Sequence, residues 1–154
     1  MRARTLILTV AVFLAAVAVC FASNPNMGTW TLNEAKSKFA PGTPKNTTVV
    51  YATEGDRVKV TTDGTDSDGK PTHTEWTGKF DGKDYPVTGD PSVDMRSYKK
   101  IDDRTLALTN KKDGKVTATG RVVVSADGKT RTLTVTRTDS TGKSMTGTYV
   151  YDKQ

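Results

Sequence analysis

Gly28-Thr29-Trp30-Thr31-Leu32 opens the first folded element of this chain. A glycine and a tryptophan one residue apart on a first strand suit the closing end of a β-barrel. Glycine lets a neighbouring backbone approach closely, and the indole plugs the floor with one large apolar ring. Read this way, Gly28 and Trp30 are structural residues. Whether they sit in a barrel depends on the rest of the chain.

Downstream of Leu32 lies a series of short alternating segments separated by turn residues. Strands are predicted over 47–54, 57–62, 71–80, 83–87, 92–101, 105–111, 115–125, 130–138 and 144–152, which with 28–32 makes about ten. Alternation places Trp76 with Phe80, Val93 with Met95 and Ile101, and Leu106 with Leu108. It also aligns Val116, Ala118, Gly120, Val122 and Val124, then Leu133, Val135 and Arg137, then Met145, Gly147, Tyr149 and Tyr151. Several connections are Asp-Gly pairs, the signal of type I′ hairpins: Asp81-Gly82, Asp113-Gly114 and Asp127-Gly128. Consecutive hairpins without a long crossover form a meander, and closure removes its exposed edges. The fold class is therefore all-β, an antiparallel up-and-down barrel. One helical stretch interrupts it, Asn33 to Phe39 with Asn33 as its cap, and Pro41 and Pro44 stop it within about two turns.

Upstream of Gly28 the chain has a different character. Arg2 and Arg4 form a positive n-region, and Leu6 to Val19 carries no polar side chain except Thr9. Ala22 then precedes Ser23-Asn24-Pro25. This reads as a signal peptide over 1–22, with the barrel domain over 23–154 and an exported, periplasmic or secreted location. Ala16-Val17-Ala18 offers an earlier cleavage site, and lipidation at Cys20 is the rival reading. Cys20 is the only cysteine, so a domain cleaved after Ala22 has no disulfide and relies on packing and strand pairing. No membrane span is expected after cleavage.

The net charge is +6, falling to +4 once Arg2 and Arg4 leave with the signal. Lysines and aspartates are interleaved, as in Asp68-Gly69-Lys70. No basic run with interleaved aromatics is present, which argues against a nucleic-acid partner. His73 is the only histidine and falls on the outer face beside Glu75. With no second histidine and no mature cysteine, a transition-metal site is not expected, and no serine sits in a nucleophile elbow. Asp63, Asp66 and Asp68 have calcium-loop spacing but lack the bidentate acid, so they read as a polar hairpin loop. No cofactor and no catalytic residue is assigned.

Gly28-Thr29-Trp30 on a first strand resembles the Gly-x-Trp signature of the lipocalins and fatty-acid-binding proteins, the calycin superfamily. Tyr149-Val150-Tyr151-Asp152-Lys153 resembles the closing strand of the fatty-acid-binding branch, and residues 27–153 resemble small exported bacterial lipocalin-like domains. The resemblance implies a barrel that binds a small apolar or amphipathic ligand. Departures limit what carries over. Fatty-acid binders grip the ligand carboxylate with an arginine two residues before the last-strand tyrosine, where this chain has Tyr149. They place a helix pair between the first two strands, where this chain has only 33–39. The lipocalin helix after the barrel has no counterpart before Gln154.

The residues themselves offer one further pointer. Arg137 shares phase with Leu133 and Val135, which places a guanidinium on the inner face near a barrel mouth, and such a group needs an anion, carbonyls or an aromatic face as partner. Its predicted role is to hold an anionic group with Tyr149 and Tyr151; stacking on Trp30 or exposure at the strand end are the alternatives. Trp76, Phe80, Tyr85, Met95 and Leu108 are expected to line the interior, as a pocket or as a filled core. The function expected is a non-enzymatic binding protein for a small hydrophobic or amphipathic molecule. A structural or interaction protein of the cell envelope, with a filled barrel, is the alternative. A calycin-type isomerase or hydrolase is disfavoured by the scarcity of acid–base groups.

Overall fold

The computed structural model describes residues 24–139 and 141–154; the signal and lipidation readings fall on residues outside these. Ten antiparallel strands close into one barrel: β1 (Gly28–Leu32), β2 (Lys45–Glu54), β3 (Arg57–Thr65), β4 (Pro71–Gly78), β5 (Tyr85–Thr88), β6 (Met95–Asp102), β7 (Thr105–Lys112), β8 (Lys115–Val124), β9 (Thr130–Thr138) and β10 (Ser144–Lys153). Each strand pairs with its sequence neighbours, and β1 closes the ring by pairing with both β2 and β10. The up-and-down barrel expected from the alternating pattern is the fold observed. Among the described residues no helix is long and apolar enough to cross a membrane.

The helical stretch after β1 is a single 3₁₀ turn, Glu34–Lys36. Asn33 caps it, its side chain accepting from the Lys36 amide at 3.2 Å. Lys38 then bridges to Thr148 of β10, so the segment lies against the barrel wall.

The turns show how local chemistry sets the hairpins. Of the Asp-Gly pairs expected to form type I′ hairpins at 81–82, 113–114 and 127–128, Asp113-Gly114 alone has both central residues at positive φ, 49° and 75°, as such a turn requires. At Asp127-Gly128 and Asp81-Gly82 only the glycine adopts it. The aspartate works through its side chain there, with Asp127 and Asp81 each accepting from the amide two residues on at 3.0 Å. These turns are thus held by the carboxylate rather than by a left-handed aspartate, which corrects the type I′ expectation at these two positions.

Trp30 is fully buried, and its Nε1 donates to the Asn26 carbonyl at 2.9 Å. The Lys153 ammonium lies 5.1 Å from its ring centroid. Gly28 has φ 109°, and a Cβ there would stand 3.2 Å from Cε of the same lysine. Both residues are structural, and together they seat the end of β10 over the indole. Deeper in the barrel the core is aromatic. Trp76 contacts Tyr98 edge-on at 4.9 Å and Phe80 in a stack at 6.3 Å, while Tyr51 meets both Tyr98 and Phe80.

Several expected strand limits move, among them the start of β2 at Lys45 and the end of β3 at Thr65. β4 stops at Gly78, a position that only glycine fills, since a Cβ there would stand 2.6 Å from the Trp76 and Tyr85 rings. Asp81 holds the adjoining loop, accepting from the Lys83 amide and from the Tyr85 hydroxyl at 2.9 Å. As a result β5 is only four residues long. β6 begins at Met95 rather than Ser92, since Val93 belongs to a turn closed by its amide on the Asp90 carbonyl.

That last shift reverses a face assignment. Met95 does not line the interior: it is 39% exposed, and the inward residues of β6 are Arg96 and Tyr98. A period of two carried through the turn from Val93 puts every later residue on the wrong face. Ile101 is likewise exposed. A second correction concerns Val116, which pairs with Lys111 beyond a register shift after Asn110 and is exposed instead of inward.

Candidate functional site

Inside the barrel is a cavity of about 50 Å³ lined by three arginines, Arg96 from β6 and Arg131 and Arg137 from β9. Asn46, Thr62 and Asn110 add polar groups, and among the described residues no acid lines it. The inward row of β9 runs Arg131, Leu133, Val135, Arg137, so alternation itself delivers two guanidiniums to one interior.

Arg131 is the deepest of the three, only 3% exposed. It sits directly across from Tyr151 in the β9–β10 ladder. Its Nη2 donates to the Tyr51 hydroxyl at 2.6 Å, and that hydroxyl donates onward to Tyr98 at 3.4 Å. The guanidinium carbon lies 4.8 Å from the Tyr51 ring centroid and 5.3 Å from that of Tyr151. Its Nε and Nη1 are buried and have no hydrogen-bond partner among the described residues. Arginine cannot shed its charge to relieve this, so two donor nitrogens stay buried and unpaired, and the charge is met only by the faces of two aromatic rings.

The neighbouring arginines are better satisfied. Arg96 is 8% exposed and donates from Nε to the Asn110 side-chain oxygen at 2.7 Å, while its carbonyl accepts from Trp76 Nε1 at 2.9 Å. Arg137 is half-buried, donates to the Tyr149 hydroxyl at 3.0 Å and lies 5.6 Å from that ring centroid. Its aromatic partner is therefore Tyr149, and not Trp30, whose ring Lys153 covers.

The phenols report the same environment. Burial pushes the Tyr51 hydroxyl well above its ordinary pKa, with Arg131 pulling it partly back. Tyr151 is pushed up to about 12 by burial, again opposed by Arg131. Both remain neutral at physiological pH and offer hydroxyls rather than a counter-charge to the arginines.

Arg137 also lines a second, smaller cavity of about 20 Å³ with Phe39, Ala40, Met145 and Tyr149. Phe39 stacks on Tyr149 at 4.9 Å, and Met145, the cross-strand neighbour of Arg137, is 48% exposed. An apolar rim therefore borders the polar cavity across one guanidinium.

Of the residues expected at a site, the structure brings together Arg137, Tyr149 and Tyr151. Trp76 and Phe80 are interior but line neither cavity; they pack with Tyr51 and Tyr98 as filled core. Met95 is outside. Arg131, Arg96 and Asn110 join the site without having been expected there. Arg131 shares its phase with Arg137 and is legible by the same alternation, whereas Arg96 is hidden by the face reversal of β6.

His73 lies on the outer wall as expected, but with acid partners across the β3–β4 ladder and along its own strand. Nδ1 is 2.7 Å from Asp63 and Nε2 is 3.7 Å from Glu75. The hydrogen bond to Asp63 is the main cause of its raised pKa. Of the three aspartates expected in a polar hairpin loop, Asp66 and Asp68 lie there, with Asp66 accepting from the Asp68 and Lys70 amides at 2.9 Å, but Asp63 belongs to β3, which runs on to Thr65.

No family model matches the sequence, and no curated protein does. Among solved structures the chain is similar to a redesigned β-barrel, mFAP1, bound to DFHBI. The two share 19% identity over 84% of this chain and 95% of that one, with a TM-score of 0.44.

Proposed function

We propose that the chain is an exported, non-enzymatic binding protein that takes the polar end of a small amphipathic molecule into its barrel. The observation that carries this reading is the buried Arg131 guanidinium, with two unpaired donor nitrogens, on a residue that lines a cavity. A protein selected for stability alone gains nothing from such a group, since apolar replacements of buried charge are commonly neutral or stabilising. The cavity is far smaller than the roughly 300–1,000 Å³ of sites that engulf a whole drug-sized ligand. Only an end group fits within it, and the remainder of the ligand lies along the rim of Phe39, Ala40 and Met145.

A second reading, an envelope protein with a filled barrel, is favoured by the aromatic packing of Trp30, Tyr51, Trp76 and Tyr98, which leaves no large apolar chamber among the described residues. Native mass spectrometry of the protein purified from its host compartment separates the two. A bound small-molecule mass, displaced on partial unfolding, supports the binding protein. A bare protein mass, together with no thermal shift across a panel of amphiphiles, supports the filled barrel.

A further inference from the structure

We propose that Met145 is an oxidation site, its sulfur taking one oxygen atom from a peroxide and the sulfoxide oxygen seating against Arg137 in the smaller cavity. This holds whatever the barrel binds. Of the chain's four methionines, three lie among the described residues, and their settings differ. Met27 is partly buried and packs against the core. Met95 is exposed on the outer wall, where its cross-strand neighbour Lys111 is paired with Asp84 at 2.6 Å. Met145 is the more exposed of the two, and its cross-strand neighbour is Arg137. Peroxide can reach both exposed sulfurs, but only that of Met145 faces a cation without an acid partner among the described residues.

Space and hydrogen bonding both fit the product. Met145 and Arg137 line one cavity of about 20 Å³. A water-sized group needs about 10–15 Å³ of such space, so a single added oxygen fits without displacing a side chain. The Arg137 guanidinium makes one hydrogen bond to the described residues, from Nη1 to the Tyr149 hydroxyl at 3.0 Å, which leaves the rest of its N–H donors for another acceptor. A thioether accepts weakly, whereas a sulfoxide is polar, so oxidation turns an apolar neighbour of this cation into its hydrogen-bond partner. Peroxide is the only co-reactant needed. A sulfur lone pair forms the S–O bond as the O–O bond breaks, and the departing hydroxide takes the proton left on the transferred oxygen and becomes water. Sulfur is oxidised by two electrons and peroxide is reduced by two. The sulfoxide sulfur is chiral. One epimer turns its oxygen to Arg137, and the guanidinium favours that epimer by stabilising the oxygen as the bond forms.

Graded hydrogen peroxide on the purified folded protein, followed by tryptic mass mapping, tests this. Trypsin leaves Met95 in the peptide 84–96 and Met145 in the peptide 144–153, each as its only methionine. Met145 and Met95 should be oxidised well before Met27. Digests treated with the two stereospecific methionine sulfoxide reductases should show one Met145 epimer about three- to tenfold over the other, within the range of a hydrogen bond to a charged group, and near-equal epimers at Met95. The Met145 bias should vanish in Arg137→Leu. Should that variant not fold, wild type oxidised in urea takes its place, and the bias should vanish there. Equal Met145 epimers in the folded wild type overturn the assignment, as does a bias that survives the loss of Arg137 or of the fold. Oxidation of Met145 no faster than that of Met27 overturns it too.

Discussion

Arg131 donates to the Tyr51 hydroxyl at 2.6 Å across the barrel, from β9 to β2, and this is the only hydrogen bond its guanidinium makes to the described residues. The phenol satisfies one of the five N–H donors and contributes no charge. A buried cation with so little compensation is a costly feature to keep.

That cost sets the expectation for Arg131→Met, which keeps an extended side chain between the Tyr51 and Tyr151 rings and removes the charge. Urea unfolding in the absence of ligand should show the variant equal to or about 1–2 kcal/mol more stable than wild type. A loss of more than about 2 kcal/mol would mean that Arg131 is structural.

Alkaline pH provides a second test. Burial raises the pKa of Tyr51 and Tyr151, the latter to about 12, above the unfolded value near 10. A raised folded-state pKa contributes stability that is fully present below the unfolded pKa and is lost as pH rises through the folded one. Stability should therefore fall between about pH 10 and pH 12. Ultraviolet titration of the five tyrosines should show at least two ionising only as near-ultraviolet circular dichroism is lost. Smooth ionisation of all five in a folded protein would contradict the burial.

His73 differs in place but not in sign. Its hydrogen bond to Asp63 raises its pKa, so that pair stabilises the fold at pH below the unfolded histidine value and ceases to do so as pH rises through the folded one. The imidazole proton signals should titrate with a midpoint above about 6.5 in wild type and lower in Asp63→Asn. Because the pair is exposed, global stability should hardly change. An unmoved midpoint would show that the contact does not form in solution.

Trp30→Ala should cost about 3–5 kcal/mol, as removal of a fully buried indole does. Arg137→Met, on a half-buried residue, should cost less than about 1 kcal/mol. Comparable losses at both positions in chemical denaturation would contradict the assignment of Trp30 to structure and Arg137 to the site.

The strand pattern was legible in the sequence because one wet face and one dry face leave a period of two in every long strand. β8, β9 and β10 show it over most of their length. It failed where the backbone changes phase without changing composition. Gly89-Asp90-Pro91 announces a connection but not that the turn runs on through Val93, the register shift that turns Val116 outward has no such marker, and both reversed a face. The site was half legible. Arg137, Tyr149 and Tyr151 stood out by phase, and Arg131 lay in the same row. What alternation cannot reveal is which of two inward arginines finds a partner, since that depends on Tyr51 arriving from a strand 80 residues away.

The unpaired donors of Arg131 are most directly reported by its side-chain Nε–H resonance. In a ¹⁵N-edited spectrum that signal, assigned by its loss in Arg131→Gln, should be protected from exchange and should move downfield on titration with a short amphiphile, hexanoate or hexanamide. An Arg131 signal that exchanges freely, or that is unmoved by either amphiphile, would contradict a binding site at this residue.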